Sequence, residues 1–409
     1  MKLIGNITIF LLLLGNIELF AVQFNAQQQH QIDSLNRIIK NPQTEDTTLV
    51  SAYVSLSEIL LNFNIDTLYY LTDKAQKIAS QQLQNPKLSA QEKAFFLKMK
   101  GKILNHLGYY YNHTGNSDSA FYYYNQALKF YLSRNDTNNI NVSLNNISHY
   151  YYKSGKLQTA IDDIKLALKY IPESDYQRLG NTYSNLAGYC YYSGRINEAI
   201  EYFNISLKYK EKTGNKLDLA HSYVNLGYVY HLQKEDSVAQ RLILRAISLY
   251  KEVNNPRGVG YGYETFYTTL KNVSKDSLLN VLRMALKYYK QAGQEMQLTN
   301  IYANLGKLFN AKGNLDSAKF YLEKAYELAQ KSQDQFDLLI VHKNMAELYV
   351  KKNEFSKAYQ LAFYAYQLAE KVKSPFYISQ TAGLLAKILE TQGKCNESLK
   401  YYKLHMQMH

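Results

Sequence analysis

One apolar position recurs through almost the whole chain, at Leu56, Leu107, Ile147, Leu186, Leu226, Phe266, Leu305, Met345 and Leu385. After the first interval every step is 39 or 40 residues. A period of that length marks an array of one supersecondary unit. It constrains folding severely, because a single unit cannot bury its apolar face and must stack on its neighbours in chain order. Two further ladders keep the same period. Small residues stand at Ala120, Ala160, Ala199, Ala239, Ala318 and Ala358, and again at Ala127, Ala167, Ser206, Ala246, Ala285, Ala325 and Ala365.

Within each period the apolar residues fall at i, i+3, i+4 and i+7, the spacing of two amphipathic helices. Glycine separates the two runs at Gly115, Gly155, Gly194, Gly313 and Gly393, where a left-handed residue ends a helix. An acidic or amide residue then follows, as in Asn314-Leu315-Asp316, and suits the positive end of the next helix. With only 5 prolines in 409 residues there are few breaks. The expected fold is all-α: a right-handed α-solenoid of antiparallel helix pairs, about 40 residues each. Small residues in the second run let the two helices of a pair approach closely.

The motifs Tyr223-Val-Asn-Leu226-Gly227-Tyr-Val-Tyr230 with Ala239 and Ala246, and Tyr302-Ala-Asn-Leu305-Gly306 with Gly313, Ala318 and Ala325, resemble the tetratricopeptide repeat. The resemblance extends over about residues 49–409. The family's usual unit is shorter, and the longer unit here is similar to the arrays of kinesin light chains and bacterial peptide-sensing regulators. Residues 27–48 are expected to hold a capping helix (Gln31 to Ile39) and a linker, followed by about nine helix pairs with the last one cut short. Two units depart from the pattern. The first carries Leu68 at a small-residue position, and Pro86 is expected to end its second helix. The sixth, around Phe266, has Leu278 for Ala and no turn glycine, the sign of a bend or a repacked pair.

An Asn precedes the core residue at Asn146, Asn185, Asn225, Asn304 and Asn344. The resemblance implies that this column faces the groove, where related arrays grip the main chain of an extended peptide. A carboxamide offers both a donor and an acceptor to a peptide bond. The competing reading is that these side chains only bridge neighbouring helices. By the same register Tyr152, Tyr191, Tyr228, His149, His231, Lys307 and Lys343 are expected near the groove, the tyrosines as rigid contact area and the lysines as a preference for an acidic partner. Gly258-Val-Gly-Tyr-Gly262 looks like part of a phosphate loop, but it opens a repeat helix and no strand precedes it. No serine elbow, paired-carboxylate motif or metal-ligand spacing is present, so neither an enzyme nor a cofactor is expected. His106 and His113, like His405 and His409, have no third ligand beside them in sequence.

The net charge of +13 raises the question of nucleic acid. The lysines are scattered without a run that would concentrate phosphate contacts, so a protein or extended peptide is the expected partner. Cys190 and Cys395 lie five repeats apart, beyond the roughly 7 Å between α-carbons that a disulfide spans. At the amino terminus Lys2 precedes the apolar run Ile7 to Leu14, and Ala21 and Ala26 follow. This reads as a signal peptide over residues 1–26, with a retained anchor as the alternative and no membrane span after its removal. A periplasmic or secreted bacterial protein is the expectation. A signal, an Ile-Asp-Ser-Leu helix and long tetratricopeptide units are similar to the periplasmic sensor portion of histidine kinases and helix-turn-helix regulators of Bacteroides-like bacteria. The expected role is an interaction or sensing module. A stand-alone envelope scaffold, or a cytoplasmic peptide-pheromone receptor if the amino terminus is no signal, are the alternatives.

Overall fold

The computed structural model describes residues 26–61 and 64–408, with side chains from residue 28 onward. The expected signal peptide lies outside the described residues, apart from the main chain of Ala26. Every described element is a helix: α1 (Ala26–Lys40), α2 (Asp46–Leu60), α3 (Ile65–Leu83), α4 (Ala90–His113), α5 (Ser117–Leu132), α6 (Thr137–Lys153), α7 (Leu157–Leu168), α8 (Tyr176–Tyr192), α9 (Ile196–Thr213), α10 (Lys216–Leu232), α11 (Asp236–Glu252), α12 (Pro256–Thr269), α13 (Lys275–Gln291), α14 (Leu298–Lys312), α15 (Leu315–Ser332), α16 (Gln335–Lys351), α17 (Phe355–Lys371), α18 (Pro375–Thr391) and α19 (Cys395–Met408). The chain forms two compact units, one ending at Ala199 and one beginning at Ile200. In each, successive helices pack on one another in chain order. The fold is thus an α-solenoid of the tetratricopeptide type.

Local chemistry sets the helix ends. Asn116, Asp136, Asp175, Asn255 and Asn314 each accept a hydrogen bond from the main-chain N–H three residues on, satisfying a donor that the first turn leaves free. Ser89 and Glu92 form a full capping box at the start of α4. Between the helices of a pair the chain turns through a left-handed residue, with φ of 73° at Gly155 and 82° at Gly313. Lys234 and Asn353 hold the same conformation with φ of 66° and 61°, at a cost of about 1–2 kcal/mol for a residue bearing a Cβ.

The three ladders form the core. The first-ladder residues are at most 9% exposed, except Phe266, which is half-buried. Ala120, Ala160, Ala239, Ala318 and Ala358, with Ala127, Ala167, Ala246, Ala285 and Ala325, are at most 1% exposed. Their smallness is used by the residue that follows the core position. A Cβ on Gly306 would lie 2.5 Å from Leu322 Cγ and 3.2 Å from the Ala318 carbonyl oxygen. On Gly227 it would lie 2.8 Å from Ile243 Cγ1 and 3.1 Å from the Ala239 carbonyl oxygen. The Leu-Gly doublet is therefore the place where the two helices of a pair touch through their backbones.

The irregular units have local explanations. In the first pair Leu68 is wholly buried where later pairs carry Ala. Its second helix ends at Leu83, ahead of Pro86, and the extra residues go into the connector and the 24-residue α4. Helix α1 lays Ile32 against Leu56, Leu60 and Leu71. The sixth pair is repacked. Its first helix, α12, stops after 14 residues with Leu270 extended and Asn272 left-handed, and Leu278 is half-buried. Gly258, Gly260 and Gly262 lie inside α12 and are close-approach positions: a Cβ on each would strike Tyr250, Tyr289 and Ile247 respectively. That packing role, on a helix, replaces the phosphate-loop reading of the motif.

Glycines on these helices are not equivalent. Gly188 has nothing within 4 Å of a would-be Cβ. Gly188→Ala should raise the urea midpoint, worth about 0.5–1 kcal/mol through helix propensity. Gly306→Ala should lower it by about 1–3 kcal/mol through overpacking. Equal responses of the two variants would refute the backbone-contact account.

Candidate functional site

In the first unit the first-run helices α4, α6 and α8 present one face to a cleft of about 410 Å³. Its lining includes Tyr109, Asn112 and His113 from α4, Asn145, Asn146, His149 and Tyr152 from α6, and Ser184, Asn185, Gly188, Tyr189 and Tyr192 from α8. Among the described residues no carboxylate lines it. Gly188 stands one repeat on from His149, and its missing side chain keeps the space between the helices open.

The cleft combines amides with a cluster of rings. Tyr152 stacks on Tyr189 with centroids 5.2 Å apart and leans on Tyr192 at 5.0 Å. Tyr109 covers His113 at 4.2 Å. Burial, and then the hydrogen bond with Tyr192, push the Tyr152 phenol up to about 12. Burial, and then the nearby Lys153 ammonium, hold the imidazoles of His113 and His149 below their ordinary value. Both rings are therefore neutral at pH 7, each with one donor and one acceptor nitrogen. Lys153 Nζ donates to Asn112 Oδ1 at 3.3 Å and supplies positive charge beside the cleft. Asn185 Nδ2 donates to Asn145 Oδ1 at 3.2 Å, and Asn145 Nδ2 donates to the Asn141 carbonyl at 3.0 Å. The bridging of neighbouring helices is thus real at Asn185, which stays exposed. Chemically the surface suits uncharged or acidic main-chain-like ligands, with amides for the peptide groups and tyrosines for the side chains.

The structure brings Asn146, Asn185, His149 and Tyr152 together in this cleft. Tyr191 is half-buried and lies outside the lining; Tyr192, one residue on, takes its place. In the second unit Asn225 and Lys307 are exposed, Asn304 is half-buried and Tyr228 is 39% exposed. His231 pairs instead with Asp236 across the turn into α11, and Lys271 shares that carboxylate. Asn344 and Lys343 are corrections to the groove register. They are only 3% and 8% exposed, because α16 is buried on every side from Val341 to Ala346. Lys343 Nζ donates to Gln380 Oε1 at 2.7 Å, and burial lowers its pKa. It is thus committed within the fold and does not reach toward an acidic partner.

Several lining residues escaped the Asn ladder. Tyr109 and Asn112 occupy the columns of His149 and Tyr152 one repeat earlier. The ladder skips that repeat because the residue before Leu107 is His106, a core residue whose Nδ1 lies 2.9 Å from Ser57 Oγ. His405 is also tied internally, its Nδ1 2.9 Å from Ser379 Oγ, and His409 lies outside the described residues. Among the described residues no three His, Cys, Asp or Glu side chains converge as a metal site would require. Cys190 and Cys395 are free thiols. No described helix is long and apolar enough to cross a membrane.

Models of the tetratricopeptide repeat match residues 178–252, and 142–174 with 299–332. Repeats of this kind make the chain a protein-interaction scaffold. No curated protein sequence matches it. Among solved structures it is similar in fold to the apo form of RapI, with 15% identity, a TM-score of 0.61, and coverage of 88% of this chain and 97% of that one. A Rap protein complexed with Competence and Sporulation Factor follows, at 12% identity and a TM-score of 0.57, covering 88% and 98%. A signal-transduction ATPase with a tetratricopeptide repeat sensor from Pyrococcus horikoshii is similar at 15% identity and a TM-score of 0.53 over 95% of this chain, which spans 53% of its length.

His106 gives the first unit a pH signature. Burial lowers its pKa to about 4 from an ordinary 6.5. On acidification the unfolded chain takes up the proton first, so this contribution is complete above about pH 6.5 and is lost as the pH falls to about 4. The loss amounts to about 3 kcal/mol. His106→Gln should flatten that part of a stability-against-pH curve relative to the parent. Parallel curves would show that the imidazole titrates normally in the fold.

Proposed function

We propose that the chain is a protein- or peptide-binding scaffold of the bacterial cell envelope, serving as the sensing or interaction module of a signalling system. The observation that carries the binding reading is the carboxylate-free cleft of α4, α6 and α8. It sets Asn146 and Asn185 among Tyr152, Tyr189 and Tyr192, a surface with amides for a main chain and flat rings for side chains. An acidic segment suits it better than a basic one, because Lys153 stands beside it. A Rap protein of similar fold was solved in complex with Competence and Sporulation Factor, which supports the capacity of such a fold to hold a partner. The envelope address rests on the apolar run Ile7 to Leu14 behind Lys2 and on the alanines that follow.

Two measurements test the two halves. Binding of the intact protein to an array of short peptides should single out a subset. The double substitution Asn146→Ala with Asn185→Ala should weaken capture of that subset about tenfold or more, the scale of two lost hydrogen bonds left unpaired on the ligand. Far-ultraviolet dichroism should stay unchanged. Unaltered capture would remove the cleft from consideration. Separately, amino-terminal sequencing of the mature protein should begin after Ala21 or Ala26. An intact Met1 would sink the envelope address and leave a peptide receptor inside the cell as the reading.

A further inference from the structure

The second unit holds a cleft of about 540 Å³ whose chemistry differs from that of the first. It lies where the repeat pattern is weakest, around α12. Glu264 of α12 replaces the apolar residue that the preceding repeat carries at Val224, and it lines the cleft. Tyr289 of α13, itself 2% exposed, donates its phenol O–H to Glu264 Oε2 at 2.6 Å. No partner for Glu264 Oε1 is present among the described residues. Burial pushes the Glu264 carboxyl up, the Tyr289 hydrogen bond works against it, and Asp337 at the start of α16 adds to the rise as a second negative charge. No salt bridge neutralises either carboxylate among the described residues. In a chain of net charge +13, a half-buried carboxylate that lines a cleft and that no salt bridge among the described residues neutralises is chemically complementary to a cation.

The same cleft is lined by His221 and Arg257. Tyr250 OH lies 2.7 Å from His221 Nδ1, and burial lowers the His221 pKa. In the tautomer whose Nδ1 accepts from the phenol, Nε2 carries the hydrogen and is a donor. Arg257, exposed in the first turn of α12, lines the same cleft and forms no ion pair among the described residues. Tyr261, 41% exposed, gives a ring face beside them, which favours a cation further.

We infer that this cleft binds a ligand through a cationic nitrogen, an alkylammonium or guanidinium group seated on Glu264 Oε1, while His221 and Arg257 hold an acceptor oxygen of the same ligand. The volume suits one amino-acid-sized group. The same chemistry is offered by a basic side chain of a peptide and by a free basic amino acid. The site goes beyond the peptide reading of the first unit and shares no residue with that cleft, so the two stand or fall separately.

The test uses the full chain and ligand-observed nuclear magnetic resonance. The probes are N-acetyl-arginine N-methylamide, N-acetyl-lysine N-methylamide, free arginine and free citrulline, the last being arginine's uncharged counterpart. At least one cationic probe should bind, and citrulline should bind about tenfold more weakly than free arginine, the scale of one charge-assisted hydrogen bond. The isosteric substitution Glu264→Gln should cost the cationic probe about tenfold while leaving the helical dichroism intact. Tyr289→Phe should weaken it by a smaller factor. A tighter blocked probe identifies a peptide side chain as the source, and a tighter free arginine that loses its advantage in Arg257→Ala identifies a free amino acid. Binding of citrulline equal to arginine, silence from every cationic probe at millimolar concentration, or an unchanged response in Glu264→Gln would overturn the inference. Should Glu264→Gln fail to fold, Asp337→Asn, which removes only the second negative charge, should still weaken the cationic probe, and an unchanged affinity there would also overturn it.

Discussion

The contact on which the rest depends is the backbone approach of two helices at small residues. At Gly227 and Ala239, and again at Gly306 and Ala318, one helix of a pair lies against a main-chain carbonyl of the other. Such an approach leaves room for no side chain at the point of contact, and it sets how far apart everything else in the pair must stand. The apolar ladder then fills the space above and below, and the third ladder of alanines seats the next pair. Once this seam is given, the columns one residue before and two residues after the core position turn away from it in the middle repeats of the first unit. Asn146, Asn185, Tyr109 and His149 of the candidate cleft occupy those columns.

Much of this was open to reading in the chain itself. The period, the two small-residue ladders and the turn glycines each repeat often enough to rule out chance, and they fall on buried or left-handed positions as expected. The residues that departed from expectation did so for local reasons. Lys343 and Asn344 keep the groove register but are covered, because the helix neighbours of α16 reach around it and Gln380 meets the ammonium. His231 keeps its register too, yet Asp236 lies just across the turn and captures it. Tyr109 and Asn112 were hidden because the column that marked the cleft holds the core residue His106 in their repeat. A register specifies the direction of a side chain, whereas its role depends on whichever neighbour lies nearest.

The same distinction explains why the irregular sixth pair matters. The column two residues before the core position holds Asn145, Ser184, Val224, Ala303 and Lys343 in other repeats, and a carboxylate at Glu264 of the shortened α12. Gly258 and Gly260 bring Tyr250 and Tyr289 hard against the helix, and the phenol of Tyr289 donates a hydrogen bond to Glu264, which stands where Val224 stands a repeat earlier.

A half-buried carboxylate with one donor among the described residues is poorly satisfied, and placing it there costs stability that a well-packed valine would not. The cleft of the first unit is lined by neutral amides, phenols and imidazoles, of which Asn185 with Asn145 and Tyr152 with Tyr192 are hydrogen-bonded in pairs. Each unit thus presents a different surface, one lined by neutral groups with Lys153 beside it, the other lined by a carboxylate and a guanidinium. A site that is incomplete on its own gains most from a partner, because the ligand then supplies the charge that the fold withholds.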